Sequence, residues 1–144
     1  VRAGEVVEPI PGYPRTAMNW PVTPEVLHWG PRFFYEKYTK PIIITENGLS
    51  NQDWLSLDGA VHDQQRIDFM HRYLLALEKA IENGADIQGY FYWSLMDNFE
   101  WAHGYNERFG LIHVDYQSQK RTIKDSGYWY QKVIASNGEL LNKL

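Results

Sequence analysis

The sequence predicts an α/β fold built around one strand-helix-strand unit. Two short runs, residues 42–45 and 87–95, have the β-branched and aromatic composition of strands. Between them, apolar residues recur at spacings of three and four over residues 63–83, which is typical of an amphipathic helix. Two strands joined through a helix of this length are expected to be parallel neighbours with a right-handed crossover.

The first 31 residues are predicted to be mostly loop. They contain six of the seven prolines of the chain, which exclude most regular structure. A short helix can begin here, because Thr23 suits the N-cap position and Pro24 the first helical position. We expect this helix to be interrupted at Pro31 and to continue to about Tyr35.

The central strand-helix-strand unit has clear boundaries. The first strand ends at Glu46-Asn47-Gly48, a turn-forming sequence. Its apolarity is continuous rather than alternating, which predicts that both of its faces are covered. Gly84 follows the periodic residues of the helix and is expected to stop it as the C′ residue.

The last third of the chain adds a strand and a helix. Residues 111–116 are apolar enough for a short strand after a polar, glycine-containing stretch. Asp125 or Ser126 can cap a last helix, and Gly138 is expected to end it.

Composition excludes several classes of protein. Lys and Arg total 14 against 18 Asp and Glu, with both signs interspersed, so no basic face for a nucleic-acid partner is expected. The chain has no cysteine, which excludes disulfides, thiolate metal sites and a cysteine nucleophile. Its apolar runs are far shorter than a membrane span, so no membrane-crossing segment is expected. The start at Val1 resembles neither an initiator nor a signal peptide, so we expect a cytoplasmic piece of a longer gene product.

The stretch from Tyr90 to Trp101 combines bulky aromatics with carboxylates. Two of the six tryptophans, Trp93 and Trp101, flank Asp97 and Glu100. The C–H face of a pyranose ring stacks on an indole while its hydroxyls seek charged acceptors, so this composition suits a sugar site. A buried strand carrying bulky residues is the plainer interpretation, since aromatics are enriched in strands.

Two carboxylates follow the two predicted parallel strands. Glu46 comes at the end of the first strand and Glu100 shortly after the second. In parallel α/β folds, active sites are assembled at this end of the strands. On this geometry the two residues are a candidate pair for glycoside hydrolysis, which requires two carboxylates.

The order of motifs resembles the C-terminal third of glycoside hydrolase family 1, the β-glucosidase family. The resemblance extends from Gly12-Tyr13 and Asn19-Trp20-Pro21 to the last helix. Its most specific part is the long motif Tyr92-Trp93-Ser94-Leu95-Met96-Asp97-Asn98-Phe99-Glu100-Trp101, which follows Ile44-Thr45-Glu46-Asn47-Gly48 and precedes Arg108-Phe109-Gly110-Leu111.

The resemblance implies part of a (β/α)8 TIM barrel, covering its last two strand-helix units. Residues 1–40 would be the loop and helix before strand 7, residues 41–84 strand 7 and helix 7, and residues 85–144 strand 8, an active-site loop and helix 8. Such a piece has open strand edges and makes a poor independent fold. The expected partner is therefore the remaining N-terminal part of the same barrel.

The resemblance also assigns roles to site residues and revises the carboxylate pair. Glu46 matches the catalytic nucleophile of the family. Glu100 matches the residue that accepts hydrogen bonds from the far hydroxyls of the sugar, and Trp101 its neighbour that donates from the indole N–H. Trp93 matches the platform under the sugar ring, and Trp20 resembles a tryptophan on the aglycone side.

The acid/base of the family is not expected in this chain. In the family it lies in an Asn-Glu-Pro motif after the fourth barrel strand. The nearest strings here, Val7-Glu8-Pro9 and Asn106-Glu107-Arg108, have no strand before them. The chain alone is therefore expected to be incomplete and inactive, and no cofactor is implied.

The implied function is a retaining β-glycosidase acting on unphosphorylated β-glucosides or β-galactosides. Glu100 favours unphosphorylated sugars, because relatives that take 6-phosphorylated sugars carry a small hydroxyl residue there and a carboxylate would repel the phosphate. The alternative is a carbohydrate-binding fragment without chemistry of its own. A barrel of this lineage with another ligand is a third class, for which the sequence offers no positive sign.

Other polar residues are given ordinary roles. His103 and His113 are isolated and lack a third metal ligand, so no metal site is expected. Asp97 and Asn98 are interpreted as turn formers. Residues 63–66 are interpreted as a solvated first helical turn.

Overall fold

The computed structural model of the protein describes residues 11–143, so the first ten positions of the predicted loop, including the Val7-Glu8-Pro9 string, lie outside the described residues. The helices and strands follow in the order α1 (Val26–Tyr38), β1 (Ile42–Asn47), α2 (Gln64–Glu82), β2 (Ile87–Tyr92), β3 (Ile112–Val114), β4 (Arg121–Ile123) and α3 (Asp125–Ala135), with 3₁₀ helices at Trp101–His103 and Glu139–Asn142.

The strand-helix-strand unit at the centre of the chain is confirmed. β1 and β2 pair in parallel, with Ile42 opposite Ile87 and Ile44 opposite Tyr90, and α2 is the connection between them. β3 and β4 form a separate antiparallel pair, and a bridge between Met96 and Ile112 joins it to the segment after β2.

The core lies between α2 and one face of the parallel pair. Ile44, Tyr90 and Tyr92 pack from the sheet against a cluster of buried apolar side chains. That cluster is formed by Leu27, Leu49, Phe69, Met70, Tyr73, Leu77 and Leu111.

The ends of α2 follow the sequence prediction closely. The helix stops at Glu82, and Gly84 takes a left-handed conformation (φ +91°) one residue after the C-cap. The Gly84 N–H donates to the Ile81 carbonyl and the Ala85 N–H to the Ala80 carbonyl, the pair of bonds of a Schellman motif. This turn sends the chain directly into β2.

Helix α1 differs from its prediction at both its start and its interior. It begins at Val26 and not at Pro24, so Thr23 is not its N-cap. The Thr23 N–H instead donates to the Tyr73 hydroxyl (2.8 Å). The helix also continues through Pro31, which is buried, up to Tyr38. Packing of this face against the core compensates for the hydrogen bond that proline cannot donate.

The prediction that both faces of the first strand are covered is wrong for the described chain. Exposure alternates over the first four residues of β1, and Ile43 is 54% exposed. Phe91 of β2 is 61% exposed, close to the same surface. One face of the sheet is therefore packed on helices and the other is open.

The last helix is predicted with small errors at its ends. α3 starts at Asp125 after the N-cap residue Lys124, and no side chain caps it. It ends at Ala135, and two left-handed residues follow the C-cap: Asn137 (φ +50°) takes the position predicted for Gly138, and Gly138 (φ +85°) comes next. Asparagine can take this role because it tolerates the left-handed region better than most residues.

No helix within residues 11–143 combines the length and the apolarity needed to cross a membrane.

Candidate active site

A cavity of about 490 Å³ opens at the end of β1 and β2 where the chain leaves each strand. All five residues predicted for the site line it, namely Trp20, Glu46, Trp93, Glu100 and Trp101. They come from three separate segments of the sequence, and the fold brings them to one surface.

Glu46 is the penultimate residue of β1 and is exposed in the cavity. Its neighbour Asn47 is held twice: the Asn47 carbonyl accepts from the Trp93 N–H (2.9 Å), and its Oδ1 accepts from the Tyr90 hydroxyl (2.9 Å). The end of the first strand is thereby fixed to the end of the second. This attachment sets where Glu46 stands relative to Trp93.

The backbone at Gly48 approaches Trp93 too closely for any other residue. A Cβ at Gly48 would lie 1.7 Å from the carbonyl oxygen of Trp93. The peptide bond between Trp93 and Ser94 is cis. Glycine is therefore required at position 48 by the close contact with the Trp93 carbonyl, directly after β2, and not by a turn conformation.

Two tyrosines behind the cavity keep their protons. Burial raises the pKa of Tyr90 well above its usual value. Burial likewise raises the pKa of Tyr92 to about 12. At neutral pH the Tyr90 hydroxyl is thus a donor to Asn47, and the Tyr92 hydroxyl accepts from the Leu49 N–H (3.3 Å).

The segment after β2 carries three members of the site, Trp93, Glu100 and Trp101. Glu100 precedes the 3₁₀ helix Trp101–His103, and the Glu100 N–H donates to the Gly104 carbonyl (2.6 Å). Trp101 is 82% exposed and Trp93 37% exposed, so both indoles offer surface to a ligand. Within residues 11–143 the carboxylates of Glu46 and Glu100 make no hydrogen bond or ion pair, which leaves both available.

Trp20 reaches the cavity from the loop before α1. The Thr16 N–H donates to the Trp20 carbonyl (2.9 Å) and the Trp20 N–H to the Thr16 hydroxyl (3.2 Å), which closes a tight turn. The indole lies 6.3 Å from the Phe109 ring, centre to centre, and remains 50% exposed. Phe109 also lines the cavity, and sequence reasoning missed it.

One interpretation of charged residues is wrong in part, and another is incomplete. Asp63 and Arg66 are fully buried, and the Arg66 Nε donates to the Asp63 carboxylate (2.8 Å), so only Gln64 and Gln65 of the first turn of α2 are solvated. Asp97 is more than a turn former: its buried carboxylate accepts from the Lys124 Nζ (2.8 Å) and the Arg108 guanidinium (2.6 Å). The three-residue spacing of Asp63 and Arg66 was the one signal in the sequence for such pairing.

The two histidines considered for metal binding lie in different surroundings. His103 is exposed at the end of the 3₁₀ helix, whereas His113 is buried in β3. Within residues 11–143 no group of three or more histidine, aspartate or glutamate side chains is arranged to hold a metal ion.

Comparison with known proteins identifies the family. The model of glycosyl hydrolase family 1 matches residues 3–139. The chain belongs to glycosyl hydrolase family 1. Among curated family 1 relatives, Beta-glucosidase A of Thermotoga maritima is 51% identical over 126 residues, covering 87% of this chain and 28% of that protein. The 6-phospho-beta-galactosidase of Streptococcus equi subsp. zooepidemicus is 44% identical over 126 residues, covering 85% of this chain and 26% of that protein.

Solved structures of the family have the same local fold. The family 1 b-glucosidase from Thermotoga maritima superposes with a TM-score of 0.87 at 49% identity, covering 88% of this chain and 29% of that one. The same values hold for that enzyme in complex with isofagomine lactam. This membership and likeness indicate a TIM barrel, of which the described residues form a partial α/β portion. The chain spans about 28% of the length of the first curated relative.

Proposed function

We propose that this chain supplies the nucleophile and part of the sugar site of a retaining β-glycosidase. The observation that carries the proposal is the cavity at the strand ends, where Glu46 lies with three exposed tryptophans and with Glu100, a second carboxylate that has no hydrogen-bond or ion-pair partner among residues 11–143. Flat indole faces beside unpaired carboxylates match the two surfaces of a pyranose ring. A merely structural strand end would not leave this combination exposed.

The proposed reaction is a double displacement. The ionised Glu46 carboxylate attacks the anomeric carbon, the bond to the aglycone oxygen breaks, and an acid elsewhere on the barrel gives that oxygen its proton. Water then attacks the glycosyl-enzyme ester, the same acid/base takes the proton of the water, and Glu46 leaves as a carboxylate. The configuration at the anomeric carbon is retained.

The proposed substrates are unphosphorylated β-glucosides or β-galactosides. Glu100 supports this class, because its carboxylate would repel a phosphate on the far side of the sugar. Curated relatives include a beta-glucosidase and a 6-phospho-beta-galactosidase, so the distinction requires a direct measurement. A 6-phosphorylated glycoside should be hydrolysed much more slowly than its unphosphorylated counterpart.

We further propose that the chain forms strands 7 and 8 of the barrel and works with a segment that carries the other strands and the acid/base. The open sheet face with Ile43 and Phe91 supports this arrangement. The polypeptide or complex that contains this chain with those strands is called the complete enzyme below. The isolated chain is expected to be inactive; a monomeric, cooperatively folded isolated chain would contradict the proposed dependence on the remaining barrel.

The test is hydrolysis of a chromogenic β-glucoside by the complete enzyme. Glu46→Gln should lower turnover by at least about a thousandfold, as expected when a nucleophile is removed, while sugar binding followed by tryptophan fluorescence persists. Glu82→Gln, which changes an exposed carboxylate at the end of α2, is the matched control and should hydrolyse normally. Sugar binding without turnover in the unmodified complete enzyme would instead support a carbohydrate-binding role.

A further inference from the structure

Six charged side chains form a connected cluster that none of the proposed chemistry uses. Three are carboxylates and three are cations, so the formal charges cancel, and five of the six side chains are at most 1% exposed. This buried charge cluster consists of Asp53, Asp63, Asp97, Arg66, Arg108 and Lys124. Burying charges is costly, so a cluster of this size calls for a reason beyond stability.

Lys124 joins the two loops that leave the sugar site. Its ammonium group donates to Asp53, in the loop after β1, and to Asp97, in the segment after β2. The Lys124 side chain is fully buried, and its backbone N–H donates to the Leu111 carbonyl (2.9 Å). A lysine has three donors on one nitrogen, which lets it hold two carboxylates at once.

Asp97 passes this constraint to the sugar-binding loop. One carboxylate oxygen accepts from the Gly110 N–H (2.9 Å) as well as from Lys124, and the Asp97 N–H donates to the Ile112 carbonyl (3.0 Å). A Cβ at Gly110 would lie 2.2 Å from the Asp97 nitrogen, so the two segments are in close contact. Glu100 follows Asp97 by three residues in the same segment.

The loop after β1 is attached to the same cluster. Arg66 donates to the Leu49 carbonyl (2.5 Å) and to the Asp53 carboxylate. The same carboxylate also accepts a hydrogen bond from the Lys124 ammonium group. Glu46 precedes Leu49 by three residues. The buried charge cluster is therefore attached to the chain three residues after Glu46, at Leu49, and three residues before Glu100, at Asp97.

We propose that Lys124 is a positioning residue for sugar recognition, which holds Asp97 against Asp53 so that Glu100 stands at a fixed separation from Glu46. This inference rests on the proposed glycosidase function. It deepens that function, because it makes recognition of the far hydroxyls depend on a side chain that never touches the sugar.

The test compares two substrates of the complete enzyme. A β-glucoside has the hydroxymethyl group on the side assigned to Glu100, and a β-xyloside lacks it. Lys124→Met should lower the glucoside-to-xyloside ratio of kcat/KM by about tenfold or more, the loss expected when a hydrogen bond to a charged group is displaced. In an enzyme that already carries Glu100→Gln, the same change should leave the ratio nearly unaltered.

Charge balance and a matched control keep the result interpretable. Lys124→Met combined with Asp53→Asn removes one charge of each sign, so it should fold even where Lys124→Met alone does not, and it should show the same fall in the ratio. Asp63→Asn removes a buried carboxylate whose partners are Arg66 and Ser126. It should lower the thermal midpoint and leave the ratio unchanged.

The outcomes separate the two proposals. If the unmodified enzyme is active and the Lys124 variants lower kcat/KM equally for both substrates, the positioning role is overturned and the glycosidase function is left intact. An unmodified complete enzyme that hydrolyses neither substrate would overturn both. A ratio that falls only in the Lys124 variants, and not in Asp63→Asn, is the result that supports the inference.

Discussion

The two faces of the parallel β1–β2 pair differ in almost every physical respect. On the helix side, Ile44 and Tyr90 pack against a core that includes Met70, which is fully buried. On the opposite side, Ile43 and Phe91 are more than half exposed although both are strongly apolar. The same two strands thus have one apolar surface that is packed against the core and one that is exposed.

This difference shows which side of the sheet determines the local fold. The packed side, with the buried charge cluster at its loop end, fixes Asn47 and Asp97 and hence the cavity. Within residues 11–143 nothing covers Ile43 or Phe91 enough to bring their exposure below half. The match covers only 29% of the solved Thermotoga maritima structure. The additional length of that relative supports the proposal that further strands meet the open face.

The packed side should be most sensitive at its buried charges. In the complete enzyme, Arg66→Met should cost about 3–5 kcal/mol of unfolding free energy, because it removes the cation that pairs with two buried carboxylates and leaves Asp63 with only Ser126. Arg72→Met on the same helix removes an exposed pair with Asp68 and should cost about 1 kcal/mol or less. Urea denaturation of the two variants measures the difference, and equal losses would contradict it.

The sequence predicts the packed side well where the signal is periodic or carried by a motif. The three- and four-residue spacing defines α2, and Gly84 ends it as expected. The motifs also identify five residues that line one cavity, although their roles in a reaction stay predictions. Such features are local in sequence, so a short window contains the information needed.

The buried charge cluster could not be predicted in the same way. Charged side chains are rarely fully buried, and Lys124 pairs with Asp53 across 71 positions, so no window of sequence contains both. β4 was missed because its three residues, Arg121–Ile123, have no apolar alternation. Continuation of α1 through Pro31 likewise depends on tertiary packing that propensity does not contain.

The open face can be tested by a pair of alanine substitutions. Met70→Ala should cost about 2–5 kcal/mol in the complete enzyme, since it removes a fully buried side chain. If further strands cover the open face, Phe91→Ala should cost a comparable amount there, despite its 61% exposure in this chain. Thermal or urea midpoints of both variants decide this. A loss below about 0.5 kcal/mol for Phe91→Ala would mean that the face stays open.

The junction of the two strands should tolerate no side chain at Gly48. Gly48→Ala should cost about 1–3 kcal/mol and reduce hydrolysis, because the new methyl would displace Trp93 and the strand end that bears Glu46. Gly30 in α1 is the matched control, since a Cβ there meets nothing within 4 Å. Its change to alanine should alter stability by less than about 0.5 kcal/mol, as the helical gain is opposed by the restriction before Pro31. Equal effects would show that the contact is not decisive.

The smallest expected effect distinguishes an exposed from a buried histidine. Hydrogen bonds to Asp125 and then Asp58 raise the pKa of His62 from 6.5 to about 9, whereas burial and then Arg108 lower the pKa of His113. The stabilising contribution of His62 is therefore present below pH 6.5 and is lost as the pH rises through about 9. That of neutral His113 has the opposite sign and is lost as the pH falls below 6.5. NMR titration of the imidazole protons should find that His62 loses its proton at a higher pH than His113, and thermal midpoints of His62→Gln should converge with those of the unmodified protein above pH 9.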